Sequence, residues 1–248
     1  MDWTLALVFA SGVLAGFMNV FAGGGSFLTI PALYLTGLPV DVANATNRVA
    51  VLLQCLVSVA EFKRKGVLKF KEVLPFLGPA LAGSVIGSFI MISIDRKTLQ
   101  IVVALMIFAI GGLLAIKPDL GQVKRETSLP RWVGWLSLFL IGIYGGFLQA
   151  GVGFFLIFAL VTLGGFDLLT TNAIKMTIVL SYTVISVALF WAHGIIELWP
   201  ALVLSAGNMI GAYIGTHMAI SKGNRFLRIA LLVMIVISAI KMLWDVMV

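Results

Sequence analysis

The chain reads as an all-α polytopic membrane protein made of two related four-segment repeats. Three observations predict this. Of its 248 residues, 61% are hydrophobic and 11% charged, whereas a soluble domain is roughly 45–50% apolar and about 25% charged. The mean hydropathy is +1.12. Eight apolar segments follow one another along the chain, and its two halves carry matching glycines and Asn-Ala pairs.

Segment 1 covers 3–36. Met1-Asp2-Trp3 lacks a basic n-region and apolar segments continue to Val248, so the start is not read as a signal peptide. Phe21-Ala22-Gly23-Gly24-Gly25-Ser26 interrupts segment 1, and Pro31 follows. Segment 2 (42–62) opens with Asn44-Ala45-Thr46-Asn47-Arg48 and runs into Lys63, Arg64, Lys65, Lys69 and Lys71. Segment 3 (72–94) holds Gly83 and Gly87, and segment 4 is 98–116. The polar stretch 117–131 reads as a linker, which sets a first transmembrane repeat at 1–116 and a second at 132–248. Segment 5 (132–164) contains Gly151-Val152-Gly153 after Gln149, and segment 6 (169–192) opens with Asn172-Ala173-Ile174-Lys175-Met176-Thr177. Segment 7 (198–220) carries Gly207, Gly211 and Gly215, and segment 8 is 224–247.

Segments 1 and 5 each run to about 33 residues, too long for one straight crossing of about 20 and too short for two. A helix broken, or re-entrant, at the glycines fits that length. A shift of 128 aligns Gly23 with Gly151, Gly25 with Gly153, Gly37 with Gly165, Asn44-Ala45 with Asn172-Ala173, and Gly66 with Gly194. A shift of 124 aligns Gly83 with Gly207 and Gly87 with Gly211. Such a duplication is common among transporters.

Loop charge decides how the halves are oriented, because Lys and Arg collect on the cytoplasmic side. If every segment crosses once, the halves are parallel and Lys and Arg divide ten inside to seven outside. If segments 1 and 5 return to the side they entered from, the second half flips and the division becomes thirteen to four. Inverted repeats are therefore expected. Net charge of +7 is then loop charge that orients the chain, with no nucleic acid implied.

Irregular backbone at membrane depth survives only when protein buries it or when it lines a watery cavity. Paired breaks in two halves point to a transporter's substrate site. Free N–H groups near Ser26 or Phe154 would favour an anion. The competing reading is that the glycines only let helices pack closely, and it is the preferred one for Gly83/Gly87 and Gly207/Gly211/Gly215. Intramembrane polar residues are costly and are candidates for function. Asn44, Thr46, Asn47 and Arg48 in one half, and Asn172, Lys175 and Thr177 in the other, put a polar cap and a cation at a helix start. Such a pair suits a small oxyanion; the alternative is cations that snorkel to the headgroups. Asn19 and Gln149 each precede a glycine break. Gln54, Ser58, Ser181 and Thr183 read as hydrogen bonds between helices. His193 and His217 stand apart from any Cys or acidic cluster, so no metal is expected. Lone Cys55 supports no disulfide. No hydrolase, zincin or Walker motif is present, and the chain is not read as an enzyme or as binding a cofactor.

G-x-x-N-V-F-A-G-G-G-S-F-L-T-I-P-A-L, then G-L-P-V-D-V-A-N-A-T-N-R, then the basic loop, resemble the sulfite exporter TauE/SafE family, also called the toluene-sulfonate uptake permeases. G-x-Y-G-G-F-L-Q-A-G-V-G-F and T-T-N-A-I-K resemble its second repeat. The resemblance covers essentially the whole chain. It implies a multi-pass inner-membrane secondary transporter that moves sulfite, sulfonates or similar anions by alternating access. It places the family's glycine motifs on Gly23, Gly24, Gly25, Gly151 and Gly153, and its polar helix starts on Asn44, Thr46, Asn47, Asn172, Lys175 and Thr177. Val152 stands where a third glycine is expected, so the two half-sites differ. Expected partners are the anion, the bilayer and a coupling ion (H+ or Na+), with a homodimer compatible. The other reading kept open is a permease or channel for another solute or a cation.

Overall fold

The computed structural model describes residues 3–21, 23–99, 101 and 130–247. Most of segment 4 and the linker up to residue 129 lie outside them. Among the described residues the chain is helical, with no strand. In order come α1 (Trp3–Phe21), α2 (Ser26–Tyr34), α3 (Val40–Arg64), α4 (Phe70–Ser93), α5 (Arg131–Phe147), α6 (Val152–Gly164), α7 (Leu168–Ala192) and α8 (Leu198–Met247). Gly223 in α8 has φ +67 and ψ −167, so two helices meet there, as segments 7 and 8 anticipate. Among the described residues five stretches are long and apolar enough to cross a membrane: Trp3–Phe21, Val40–Arg64, Phe70–Ser93, Leu168–Ala192 and Leu198–Phe226. This is a multi-pass membrane protein. Trp3, Trp132, Trp135, Trp191 and Trp199 are exposed near helix ends, where aromatic rings favour the membrane–water interface.

The long segments 1 and 5 are each two helices. α2 and α6, at 9 and 13 residues, cover only about 14 and 20 Å at 1.5 Å per residue.

Hydrogen bonds fix the directions of the helices. Thr46 accepts from the amide of Glu197 at 3.0 Å, and Ser58 accepts from Thr216 at 2.9 Å. α3 and α8 therefore run side by side in one direction. α7 ends at Ala192, and residues 193–197 lead directly to the start of α8. α7 must then run opposite to α3. Two contacts of equivalent position close the ends: Arg96 pairs with Asp41 at 3.0 Å, and the amide of Leu169 donates to Asn224 at 2.8 Å. α2 returns to the end at which α3 starts, and α6 returns to the end at which α7 starts.

The halves exchange partners. α1 packs along α8 and α5 along α4, both through glycines. A Cβ at Gly207 or Gly211 would strike the backbone of α1, and one at Gly83 or Gly87 the backbone of α5. The close-packing reading holds for these four. From the other side, Gly12 and Gly16 meet Leu204 and Asn208, while Gly142 and Gly146 meet Ala80 and Ser84. In α1 and α5 the equivalence is thus 130, which also pairs Asn19 with Gln149. The aligned glycines Gly23/Gly151, Gly37/Gly165 and Gly66/Gly194 all have positive φ.

The start of α7 is capped by Asp167, whose Oδ1 accepts from the amides of Leu169 (2.9 Å) and Thr170 (3.2 Å). Partial burial pushes its carboxyl up. The Thr170 hydroxyl and the two amides outweigh that and hold it below the ordinary carboxylate range. The cap therefore stabilises above that range and is lost as pH falls through the depressed value. Asp167→Ala should cost about 1 kcal/mol, read as a lower melting temperature in detergent at neutral pH, with the difference shrinking in acid.

Candidate functional site

The site forms where the two helix breaks meet. Gly23, at φ +80, comes so near that a Cβ there would overlap the Gly153 backbone. A left-handed turn with no side chain is what this approach requires. Beside the contact lies a small, partly open cavity of about 20 Å³ lined by Asn19, Gly23, Ser26, Val51, Gln54, Cys55, Gln149, Val152, Gly153, Lys175, Met176 and Val179. α2 begins at Ser26 and α6 at Val152, so two helix N-termini border it. These ends carry positive dipole charge.

The C-terminal ends of α1 and α5 stop at the same breaks, and each meets a cation from the other half. Lys175 on α7 donates to the carbonyls of Asn19 (3.0 Å) and Val20 (2.9 Å) and to Asn172 Oδ1 (2.6 Å). Arg48 on α3 donates to the carbonyls of Gly145 and Gly146 and to Gln149 Oε1. A helix that ends inside the protein leaves carbonyls unpaired, and these cations pair them. Both are buried, at 1% and 0% exposure. Among the described residues the ion pairs are Arg64–Glu61, Lys69–Glu72 and Arg96–Asp41, so neither central cation has a carboxylate partner. Two positive charges sit at the centre, and neutral oxygens alone answer them.

Of the residues singled out from sequence, Asn19, Gly23, Gln149, Gly153 and Lys175 reach the cavity wall. The others sit behind it. Gly25 donates its amide to Asn19 Oδ1 at 2.7 Å. Asn44 Nδ2 donates to the Phe147 carbonyl at 3.0 Å, and Asn47 bridges Thr29 and Ser26 at 2.6 and 3.1 Å. Thr46 holds the start of α8. Asn172 fixes Lys175, and Thr177 donates to the Ala173 carbonyl within its own helix at 2.9 Å. Gly24 faces the rings of Phe154 and Phe27, and Gly151 forms the left-handed N-cap of α6. Arg48, expected as a direct ligand, is not among the lining residues and bonds instead to Gly145, Gly146 and Gln149. Its length carries the guanidinium past the wall to the end of α5.

Gln54 and Ser26 line the cavity without having been chosen. Gln54 lies seven residues after Asn47 and so on the same helix face, a signal the sequence contained. Among the described residues no cluster of His, Cys, Asp or Glu could hold a metal ion.

A family model for the sulfite exporter TauE/SafE family matches residues 8–242. A "Probable membrane transporter protein" of Haemophilus influenzae is 32% identical over 242 residues, covering 97% of this chain and 95% of its own. "Probable membrane transporter protein ORF9" of a Sinorhizobium species is 30% identical over 242 residues, covering 97% and 93%. "Probable membrane transporter protein YfcA" of Escherichia coli K12 is 27% identical over 244 residues, covering 97% and 90%.

Proposed function

Because the chain belongs to the sulfite exporter TauE/SafE family, a family of membrane transporters, we propose that it is an inner-membrane secondary transporter whose cavity carries a small sulfur-containing anion such as sulfite or a sulfonate. The observation that carries this reading is the pair of buried cations at the meeting of the helix breaks, with no carboxylate paired to either among the described residues. Burying an uncompensated charge is expensive. An anion in the cavity supplies the missing charge, and a metal cation there meets repulsion.

We read the two halves as inverted repeats with re-entrant segments. This rests on the opposite directions of α3 and α7, on hairpins that open at opposite ends, and on the exchange of α1 and α5 between halves. Rocking of one half against the other then exposes the cavity to each side in turn. Outward movement of a monoanion is driven by the inside-negative potential, worth about 2.3 kcal/mol per charge per 100 mV. Inward movement needs a coupled H+ or Na+.

The test is flux in proteoliposomes with sulfite, sulfoacetate, taurine and thiosulfate, with and without a membrane potential and a pH gradient. Saturable flux of one sulfur oxyanion that follows the potential is expected. Absence of flux for every anion, with the protein folded, would sink the reading.

A further inference from the structure

The hydrogen bonds behind the cavity wall have a direction, and that direction sets what the cavity offers a ligand. An arginine N–H and a backbone N–H can only donate. Arg48 donates to Gln149 Oε1, which fixes that amide with its oxygen turned away and its nitrogen free. The amide of Gly25 donates to Asn19 Oδ1, so Asn19 must use its nitrogen outward. That nitrogen donates to Gln54 Oε1 at 3.2 Å, which again leaves the Gln54 nitrogen free. The Gln149 nitrogen has no partner among the described residues, the Gln54 nitrogen has at most the neighbouring Cys55 thiol, and neither is a sealed orphan atom. Each therefore opens on the cavity its residue lines. Ser26 Oγ accepts from Asn47 at 3.1 Å and keeps its O–H to donate. No carboxylate lines the wall.

We infer that the fixed side-chain groups of the wall, Lys175, Gln54 and Gln149, form a donor-only cage. Gln54 and Gln149 are its specificity-determining residues, and Arg48 and Asn19 are positioning residues that act through them. The inference rests on the anion reading and sharpens it: the ligand is an anion whose headgroup offers acceptors alone, as a sulfonate does and hydrogen sulfite does not. An anion of the same shape and charge that carries an O–H meets fixed donors at Lys175, Gln54 and Gln149, and among the lining side chains only the rotatable Ser26 hydroxyl and the weakly accepting Cys55 thiol can take its hydrogen. A site whose polar groups cannot be paired rejects an analogue strongly.

Methanesulfonate and the methylphosphonate monoanion form a matched pair. They share shape and charge in mildly acidic buffer, and the second carries one O–H. Binding of each to the purified full-length protein in detergent, by calorimetry, should favour methanesulfonate by at least about ten-fold. Gln54→Glu keeps the oxygen that Asn19 needs and turns the free donor into an acceptor. It should lose methanesulfonate binding by at least about ten-fold and reverse the preference within the pair. Arg48→Met releases Gln149 to rotate, and where the variant stays folded the preference should collapse further than the affinity. Equal binding of both probes by the wild type, or an unchanged preference in Gln54→Glu, overturns the donor-only cage and leaves the anion reading standing. Binding of neither probe by folded wild-type protein overturns both.

Discussion

Gly23→Ala should abolish transport and destabilise the protein by about 2–5 kcal/mol. Two costs combine. An alanine at φ +80 occupies a left-handed conformation, worth roughly 1–2 kcal/mol. Its Cβ also overlaps the Gly153 backbone, and overpacking in a tight interior costs about 1–3 kcal/mol. No flexible side chain can yield, because the obstacle is backbone. The paired control is Gly24→Ala. There the nearest atoms are ring carbons of Phe154 at 3.4 Å and Phe27 at 3.6 Å, and φ is not positive. That variant should melt within about 1 kcal/mol of wild type, since volume changes next to movable side chains are tolerated. Thermal melts in detergent and flux in proteoliposomes read both. Equal behaviour of the two variants would mean that contact between the break tips does not matter.

Lys175→Gln and Arg48→Gln should both weaken anion binding, for different reasons. Lys175 is the cation on the cavity wall. Losing its charge should weaken anion binding at least about ten-fold, the equivalent of one charge-assisted hydrogen bond, while glutamine still donates to the end of α1. Arg48 stands behind the wall and holds the end of α5 together with Gln149. Its loss strands buried acceptors, each costing about 1–3 kcal/mol, so that variant should show a clear drop in melting temperature as well as weaker binding. Normal binding in both would remove these cations from the site.

Much of this was legible in the sequence because composition and periodicity act locally. The apolar segments, the breaks at Gly23–Gly25 and Gly151/Gly153, and the turn at Gly223 all follow from residue type and helix length. The family was legible in the same motifs, and Gly23 and Gly151 sit at positive φ, where glycine is favoured. The shifts of 128 and 124 rest on identities in the sequence. The like contacts of Gly12/Gly16 and Gly142/Gly146 are 130 apart, a spacing that puts Asn19 with Gln149, a pair that is not an identity in the sequence.

What sequence could not decide was which side chains face the cavity. Arg48 and Lys175 look alike as cations near helix starts. The fold separates them: Lys175 reaches the end of α1 across the cavity, and the longer Arg48 reaches past the wall to α5. Gln54, two turns beyond Asn47, becomes a ligand candidate only once α1 brings Asn19 against it. The sequence by itself determined that this chain is an all-helical membrane protein with paired breaks and cations close to them. The tertiary structure alone decided that each cation caps the broken helix of the opposite half, because a helix end buried in the protein must find its donors wherever packing places them.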